Sequence, residues 1–501
     1  MALFVRAGPR GAASRKPRIR TAVNATRRVS PAGRVLRWIT ARPARLISFS
    51  FLTVILVGAG LLCTPFASAS GRSTDFLRAL FTATSATCVT GLVVVDTVTH
   101  WSLFGQIVIL ALIQIGGLSI VTITTFFFAL MRRKMGLKTL IVIQESTGSF
   151  DFADVLQLVR KIVAITFAIE MAGFLILLSQ YLPAFGWHAV WKAFFQAVSA
   201  FCNAGFDLMG NVSGPFSSLT AWNGDPIVTM TTSFLLIFGG LGFVVWSDLI
   251  AAVRKRSSLN YHTRIVLVLT AVLLFGGALY FYFAERQNLS YGALGTLPEW
   301  QRPFAAFFQS ATTRTAGFNT IDQHSLRPGS KFITTLLMFI GAAPGGTGGG
   351  VKVTTFGVIL FAVLSELHGD DGTLMLKRRI NPETVMRSLT IVGLALALVL
   401  VATLFLSFTE EARLLSRFYA DVQTPETQVS FLDLLFEVMS AFGTVGLTSV
   451  QTSTLHPVSW AVLIPVMFIG RIGPVAFALG LTIRAKLGSD KVLPEGKVLV
   501  G

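Results

Sequence analysis

Ser85-Ala86-Thr87-Cys88-Val89-Thr90-Gly91-Leu92 is the stretch that decides the fold, because the chain repeats it. The second copy is Ser199-Ala200-Phe201-Cys202-Asn203-Ala204-Gly205-Phe206, and the fourth is Ser440-Ala441-Phe442-Gly443-Thr444-Val445-Gly446-Leu447. The third, Ser310-Ala311-Thr312-Thr313-Arg314-Thr315-Ala316-Gly317-Phe318, carries one more residue between Ser and Gly. The glycines recur at intervals of 114, 112 and 129 residues.

Each copy has the same surroundings. A long apolar run precedes it: Leu46–Phe66, Ile162–Leu182, Ile265–Phe283 and Val385–Phe408. A short semi-apolar stretch leads into it: Asp75–Thr84, Val190–Ser199, Pro303–Gln309 and Leu432–Ser440. A second long run follows: Phe104–Leu130, Pro226–Ile250, Phe332–Ser365 and Ser459–Ile483. About 20 apolar residues are needed to cross a bilayer core as a helix. The pattern therefore predicts an all-α polytopic membrane protein. Four tandem units, each a helix, a half-helix with a glycine loop, and a helix, occupy residues 46–130, 157–252, 263–366 and 385–485, between tails 1–45 and 486–501.

Composition and charge agree. The 501 residues are 53% hydrophobic and 13% charged, against roughly 25% charged in soluble domains. The net charge of +18 is clustered. Residues 1–45 carry twelve Arg or Lys and no acid, and Arg132-Arg133-Lys134, Arg254-Lys255-Arg256 and Lys377-Arg378-Arg379 lie between the repeats. This is the positive-inside pattern, which predicts a plasma-membrane protein with both termini cytoplasmic. It explains the basic tail by anionic lipid and leaves no need for nucleic acid. Arg27-Arg28, the run Leu46–Phe66 and Ala67-Ser68-Ala69 together imitate a cleavable leader, but the repeat pattern needs that run as a helix. Cys63, Cys88 and Cys202 have no metal-ligand spacing, and the six His form no H-E-x-x-H site. No catalytic set or organic cofactor site is expected.

A half-helix ending in a glycine loop at membrane depth is tolerated only inside protein or against a water-filled cavity. Four such loops around one axis make a ring of carbonyl oxygens that can replace a cation's hydration shell. The half-helices would aim their negative C-terminal ends at it. Packing through small residues accounts for one or two glycines, not for four at matched positions.

The motifs TATSATCVTGL (82–92), QIVILALIQIGGL (106–118), AVSAFCNAGFDL (197–208), GGLGF (239–243), TTRTAGFN (312–319) and FEVMSAFGTVGL (436–447) resemble the Trk/Ktr/HKT superfamily of potassium transporters, and most of all its bacterial KtrB-type membrane subunits. The resemblance covers residues 46–485. It implies four M1-P-M2 units around a pseudo-fourfold pore, with potassium held at Gly91, Gly205, Gly317 and Gly446. The expected filter comprises Thr87, Cys88, Val89, Thr90 and Gly91; Asn203, Ala204 and Gly205; Thr315, Ala316 and Gly317; and Thr444, Val445 and Gly446. The resemblance also implies a homodimer and a separate cytoplasmic nucleotide-binding ring subunit of Rossmann-like fold. With one aligned glycine per loop, modest selectivity is expected, with sodium also able to enter. An ion-coupled carrier, driven by symport of sodium or protons, stays open as the alternative to a gated channel, although parallel repeats are unlike the inverted pairs of many carriers.

The third post-loop run is interrupted by residues 341–352. Gly and Pro there, at about 1 and 3 kcal/mol each in a helix interior, predict a break. The stretch is not a phosphate loop, because Val351 separates Gly350 from Lys352. Gly345, Gly346, Thr347, Gly348, Gly349 and Gly350 are expected to form an intramembrane gate, together with Arg471 in the fourth run. For Arg471 the rival reading is a salt bridge to Glu437 or Glu170. Arg314 is expected to point away from the ring, towards a carboxylate or free carbonyls. Thr90, Thr315 and Thr444 are candidate loop tethers, and Asn203 offers either an oxygen to the ion or a hydrogen bond to a loop. Lys352 would end a half-helix or reach the cytoplasmic interface. Glu145 and Asp151 are expected in a cytoplasmic connection, facing the partner or in a solvated loop.

Overall fold

A computed structural model describes residues 43–118, 155–256, 258–411, 429–475 and 477. The tail up to residue 42, the cluster 132–134, Glu145, Asp151 and residues 478–501 lie outside the described residues.

The first repeat gives α1 (Pro43–Leu62), α2 (Phe76–Cys88) and α3 (Leu103–Leu118). The second gives α4 (Val155–Phe185), α5 (His188–Phe201), α6 (Pro226–Gly240) and α7 (Phe243–Lys255). The third gives α8 (Tyr261–Glu285), α9 (Arg302–Thr312), α10 (Pro328–Phe339) and α11 (Val353–His368). The fourth gives α12 (Pro382–Thr409), α13 (Phe431–Gly443) and α14 (Pro457–Ile472). A two-stranded hairpin, β1 (Leu374–Met375) with β2 (Arg378–Arg379), joins α11 to α12.

Helix starts carry their signals. Asp75 accepts from Leu77 N, Asp225 from Ile227 N and Val228 N, and Asn381 from Glu383 N. Ser430 and Asp433 form a capping box at the head of α13. Such caps satisfy backbone N–H groups that the first turn leaves free.

Among the described residues, Arg160–Phe185, Tyr261–Glu285 and Pro382–Thr409 are long and apolar enough to cross a membrane. At 1.5 Å per residue, the 25 residues of α8 span about 37 Å, more than the roughly 30 Å of hydrocarbon. Its outer face exposes Val268, Val272, Phe275, Leu279 and Phe283, an apolar stripe at helical spacing that suits lipid and not water.

One expectation needs correcting here. The run Pro226–Ile250 is not one helix. It breaks between α6 and α7 with a 98° bend, at Gly242 with φ 88°. The expected break in the third repeat is present, between α10 and α11.

Packing closes a circuit. Within repeats, α1 packs on α2, α4 on α5, α8 on α9 and α12 on α13. Between repeats, α3 packs on α5, α6 on α9, α10 on α13, and α14 returns to α2. The short helices thus form the interior, with Phe81, Phe195, Phe308 and Phe436 all fully buried.

Candidate functional site

Each short helix runs further than its apolar stretch suggested and ends within a few residues of its glycine. Thr87 and Cys88 belong to the last turn of α2, so the first loop proper begins at Val89. Gly91, Gly205, Gly317 and Gly446 take φ of 93°, 71°, 81° and 94°. Two residues before each glycine stands a second left-handed residue, Val89, Asn203, Thr315 or Thr444, with φ of 58°, 58°, 71° and 51°. Sequence reading missed this second position because none of the four is glycine. Left-handed geometry is strained for a β-branched residue such as Val89.

The four loops meet cyclically. A Cβ added to Gly91 would lie 2.6 Å from the Ala204 carbonyl oxygen and 3.0 Å from the Cα of Gly205. One on Gly205 would lie 3.0 Å from the Ala316 oxygen and 3.1 Å from the Cα of Gly317. Gly317 stands in the same way against the Val445 oxygen and Gly446, and Gly446 against the Thr90 oxygen and Gly91. Each glycine therefore faces the carbonyl just before the next repeat's glycine, and the order closes. Both the backbone conformation and the space require glycine.

A hydroxyl holds each loop. Ser85 Oγ accepts from Gly91 N at 3.1 Å, and Ser440 Oγ from Gly446 N at 3.0 Å. Ser199 Oγ donates to the Phe206 carbonyl at 2.6 Å, and Thr312 Oγ1 to the Phe318 carbonyl at 2.5 Å. The third anchor is thus Thr312, not Ser310, whose hydroxyl goes to the Leu274 carbonyl on α8. Counted from this anchor, the third glycine stands one residue nearer than in the other loops. The signal was present in the sequence, since a buried Phe precedes each anchor by four residues (Phe81, Phe195, Phe308, Phe436).

Beneath the ring lies the segment 341–352. Ala343 N and Thr347 N donate to the Gly240 and Gly239 carbonyls, which the α6–α7 break has freed, and Phe243 N donates to the Gly345 carbonyl. The second break is therefore satisfied by the third repeat's loop, which explains why it is tolerated at this depth. Gly349 N donates to Thr444 Oγ1 at 2.9 Å, and Gly350 N to the Gly470 carbonyl at 3.3 Å. Thr347 Oγ1 reaches the Phe201 carbonyl at 3.2 Å. Residues 347–350 are buried.

Arg471 donates to the carbonyls of Thr347, in this loop, and Gly116, on α3. Neither Glu437 nor Glu170 pairs with it. Glu437 accepts from Thr452, and Glu170 from Gln114. Lys352 does not reach a cytoplasmic face; its Nζ donates to the Gly348 carbonyl at 2.7 Å. Arg314 turns to the Thr270 carbonyl on α8 at 3.4 Å, a carbonyl and not a carboxylate. The amide of Asn203 meets the Thr315 hydroxyl at 3.2 Å, joining the second loop to the third. Thr444 and Thr315 thus tether loops, whereas the buried Thr90 hydroxyl has no partner among the described residues.

On the other side of the ring, the four glycines line a cavity with Asp96 and Asp207. Asp96 caps the short helix Thr97–His100 and also accepts from Phe216 N at 3.0 Å. Asp207 accepts from Met209 N at 2.9 Å. Burial pushes the Asp207 carboxyl up to about 6; the Asp96 charge adds to the rise, while the Met209 N–H, Lys192 and Ser218 oppose it.

The family named TrkH, described as a cation transport protein, matches residues 41–492. The potassium/sodium uptake protein NtpJ of Enterococcus hirae is 38% identical over 92% of this chain and 97% of its own length. The Ktr system potassium uptake protein B of Vibrio alginolyticus is 40% identical over 91% and 94%, and that of Bacillus subtilis 36% identical over 93% and 99%. The crystal structure of the potassium transporter TrkH from Vibrio parahaemolyticus superposes with a TM-score of 0.64 at 18% identity, covering 87% of this chain and 85% of that one.

Proposed function

The chain belongs to the TrkH family of cation transport proteins, and we propose that it takes up potassium across the plasma membrane as the ion-translocating subunit of a Ktr/Trk-type system. Four M1-P-M2 units surround a pseudo-fourfold pore, with potassium at Gly91, Gly205, Gly317 and Gly446. The observation that carries this reading is the cyclic order of the ring, in which each glycine faces the next loop's carbonyl. Carbonyls set in that way can stand in for water around a dehydrated cation. The dipoles of the short helices favour positive charge there.

In this reading the segment Gly345–Gly350 is the gate and Arg471 is its latch. The guanidinium binds the loop through Thr347 and the pore wall through Gly116. Hydrogen bonds from a charged donor contribute about 1.5–3 kcal/mol each, enough to hold a loop closed. A cytoplasmic nucleotide-binding subunit moves the gate, and two copies of the chain assemble as a dimer. The Ktr relatives, each named as protein B of a Ktr system, support a separate regulatory partner. Arg378, from one basic cluster, stacks on Tyr261, a few residues along the chain from Arg256 of another. This supports a common cytoplasmic side.

Rubidium and sodium influx into proteoliposomes, each with and without a nucleotide-binding partner, tests the reading. Rubidium influx is expected, with sodium influx within about an order of magnitude of it. No influx of either ion under any condition would refute transport through this ring. Uphill rubidium accumulation driven by a sodium or proton gradient would replace the gated channel with a coupled carrier. Deleting Gly345–Gly350 is expected to raise basal influx; unchanged influx in a folded protein would remove the gate.

A further inference from the structure

At the end of α8 remote from the glycine ring lies a cavity of about 650 Å³. Asn260, Tyr261, Arg264, Val268, Leu376 and Arg378 line it, with no carboxylate among its walls. Its two arginines are exposed. Neither forms an ion pair with a described residue.

The walls are fixed. Met375 is buried beside Leu269 and Val266, which anchors the β1–β2 hairpin. Tyr261 donates its hydroxyl to the Met375 carbonyl at 2.5 Å. The Arg378 guanidinium lies 5.0 Å from the Tyr261 ring centroid, a cation–π contact that restricts its side chain. The acid on α7, Asp248, forms no ion pair with either arginine. Its two oxygens accept from Asn260 N at 2.9 Å and Asn260 Nδ2 at 2.6 Å. That contact also fixes the start of α8 without neutralising either arginine.

A second observation identifies the occupant. Arg264 stands four residues before Val268, on one helix face. Val268 opens the exposed stripe Val272, Phe275, Leu279 and Phe283, which runs down the lipid-facing side of α8. Leu376, on the cavity's other wall, is 44% exposed. Two unpaired guanidinium groups therefore sit at the head of a continuous apolar track at the membrane boundary. A free phosphate would use only the head of this site. An anionic phospholipid would use both parts.

We propose that this cavity binds the headgroup of an anionic phospholipid, with Arg264 and Arg378 on the phosphate and the acyl chain along the α8 stripe. Arginine suits phosphate because its planar fork donates two parallel hydrogen bonds. Basic pockets between membrane helices are attractive to anionic headgroups for the same reason. The inference rests on the membrane placement of α8 and is independent of which ion is transported.

Native mass spectrometry of the purified full chain tests it, with phosphatidylglycerol and phosphatidylethanolamine of identical acyl chains. Wild-type protein is expected to retain phosphatidylglycerol preferentially. Arg264→Gln and Arg378→Gln are each expected to weaken that retention about tenfold, and the double variant further, with phosphatidylethanolamine unchanged. Arg264→Lys should restore part of the loss. Equal retention by wild type and the Arg264→Gln variant would overturn the proposal. Arg264→Gln alone decides the matter should Arg378→Gln fail to fold, because the Arg264 side chain forms no hydrogen bond or ion pair with a described residue. Millimolar inorganic phosphate is expected not to displace the lipid. Full displacement would make the cavity a free-oxyanion site and overturn the lipid assignment.

Discussion

The glycine ring and the loop beneath it are held in opposite ways. Each ring loop is fixed by its own repeat, through a hydroxyl five or six residues back on the preceding short helix: Ser85, Ser199, Thr312 or Ser440. The loop 341–352 is fixed largely by other repeats: by Gly239 and Gly240 of the second, and by Thr444, Gly470 and Arg471 of the fourth. A locally anchored ring stays put when its neighbours shift. A loop anchored from several sides responds to any of them, which is the property a gate requires.

The largest effect should come from the ring. Gly317→Ala combines left-handed backbone strain of about 1–2 kcal/mol with a Cβ aimed at the Val445 carbonyl, and rubidium influx is expected to fall about a hundredfold. Gly345→Ala shares the positive φ of 75° but meets no atom within 4 Å, so it should spare conduction. Equal losses for the two variants would erase the distinction between ring and loop.

Next comes Arg471, proposed above as the latch. Arg471→Gln leaves the Thr347 and Gly116 carbonyls without their donor. Losing charge-assisted bonds of about 1.5–3 kcal/mol each is expected to raise basal influx about tenfold. A folded variant with wild-type influx would show that Arg471 serves packing and not closure.

A smaller effect separates two buried threonines. Thr444→Val removes the acceptor for Gly349 N, a net loss of about 1 kcal/mol, and influx should rise about threefold to fivefold. Thr90→Val removes a hydroxyl with no partner among the described residues, so influx should stay within about twofold of wild type. Reversed sensitivities would break the assignment of Thr444 as the tie between ring and loop.

The smallest effect concerns the cavity on the far side of the ring from the loop. The Asp207 carboxyl, raised to about 6 chiefly by burial, loses its charge as pH falls through that value. An ordinary Asp stays charged to near 4. Influx at limiting potassium should therefore drop about twofold to threefold between pH 7.5 and 5, and Asp207→Asn should flatten the profile. Linkage gives the matching stability change. The folded chain binds this proton at a higher pH than the unfolded chain, so this group's contribution to stability increases as pH falls from about 6 to 4 and is lost as pH climbs back through 6. A pH profile unaffected by Asp207→Asn would remove the carboxylate from the cavity's electrostatics.

Much of this was legible in the sequence. The four phrases located the four glycines, and Gly345–Gly350 announced the third-repeat break. The second break was harder to see, because Gly239-Gly240-Leu241-Gly242 lies in an otherwise apolar run and its freed carbonyls are satisfied more than 100 residues away. The third loop's register was misaligned for a related reason. Ser310 fits the phrase as a string of letters, but the hydroxyl that holds the loop is that of Thr312.

The sequence by itself determined what depends on local chemistry: helices where apolar runs suffice, and the four ring glycines, though not the left-handed residue two positions before each. It determined a membrane class too, since so apolar a chain has nowhere else to fold. Only the tertiary structure decided the partners of Arg471, Lys352 and Arg314, each of which meets carbonyl oxygens and no carboxylate. A sequence displays charged side chains and so suggests ion pairs, but every residue carries a carbonyl. Which carbonyls lie free at membrane depth depends on where helices break, and that is settled only when the four repeats close around one another.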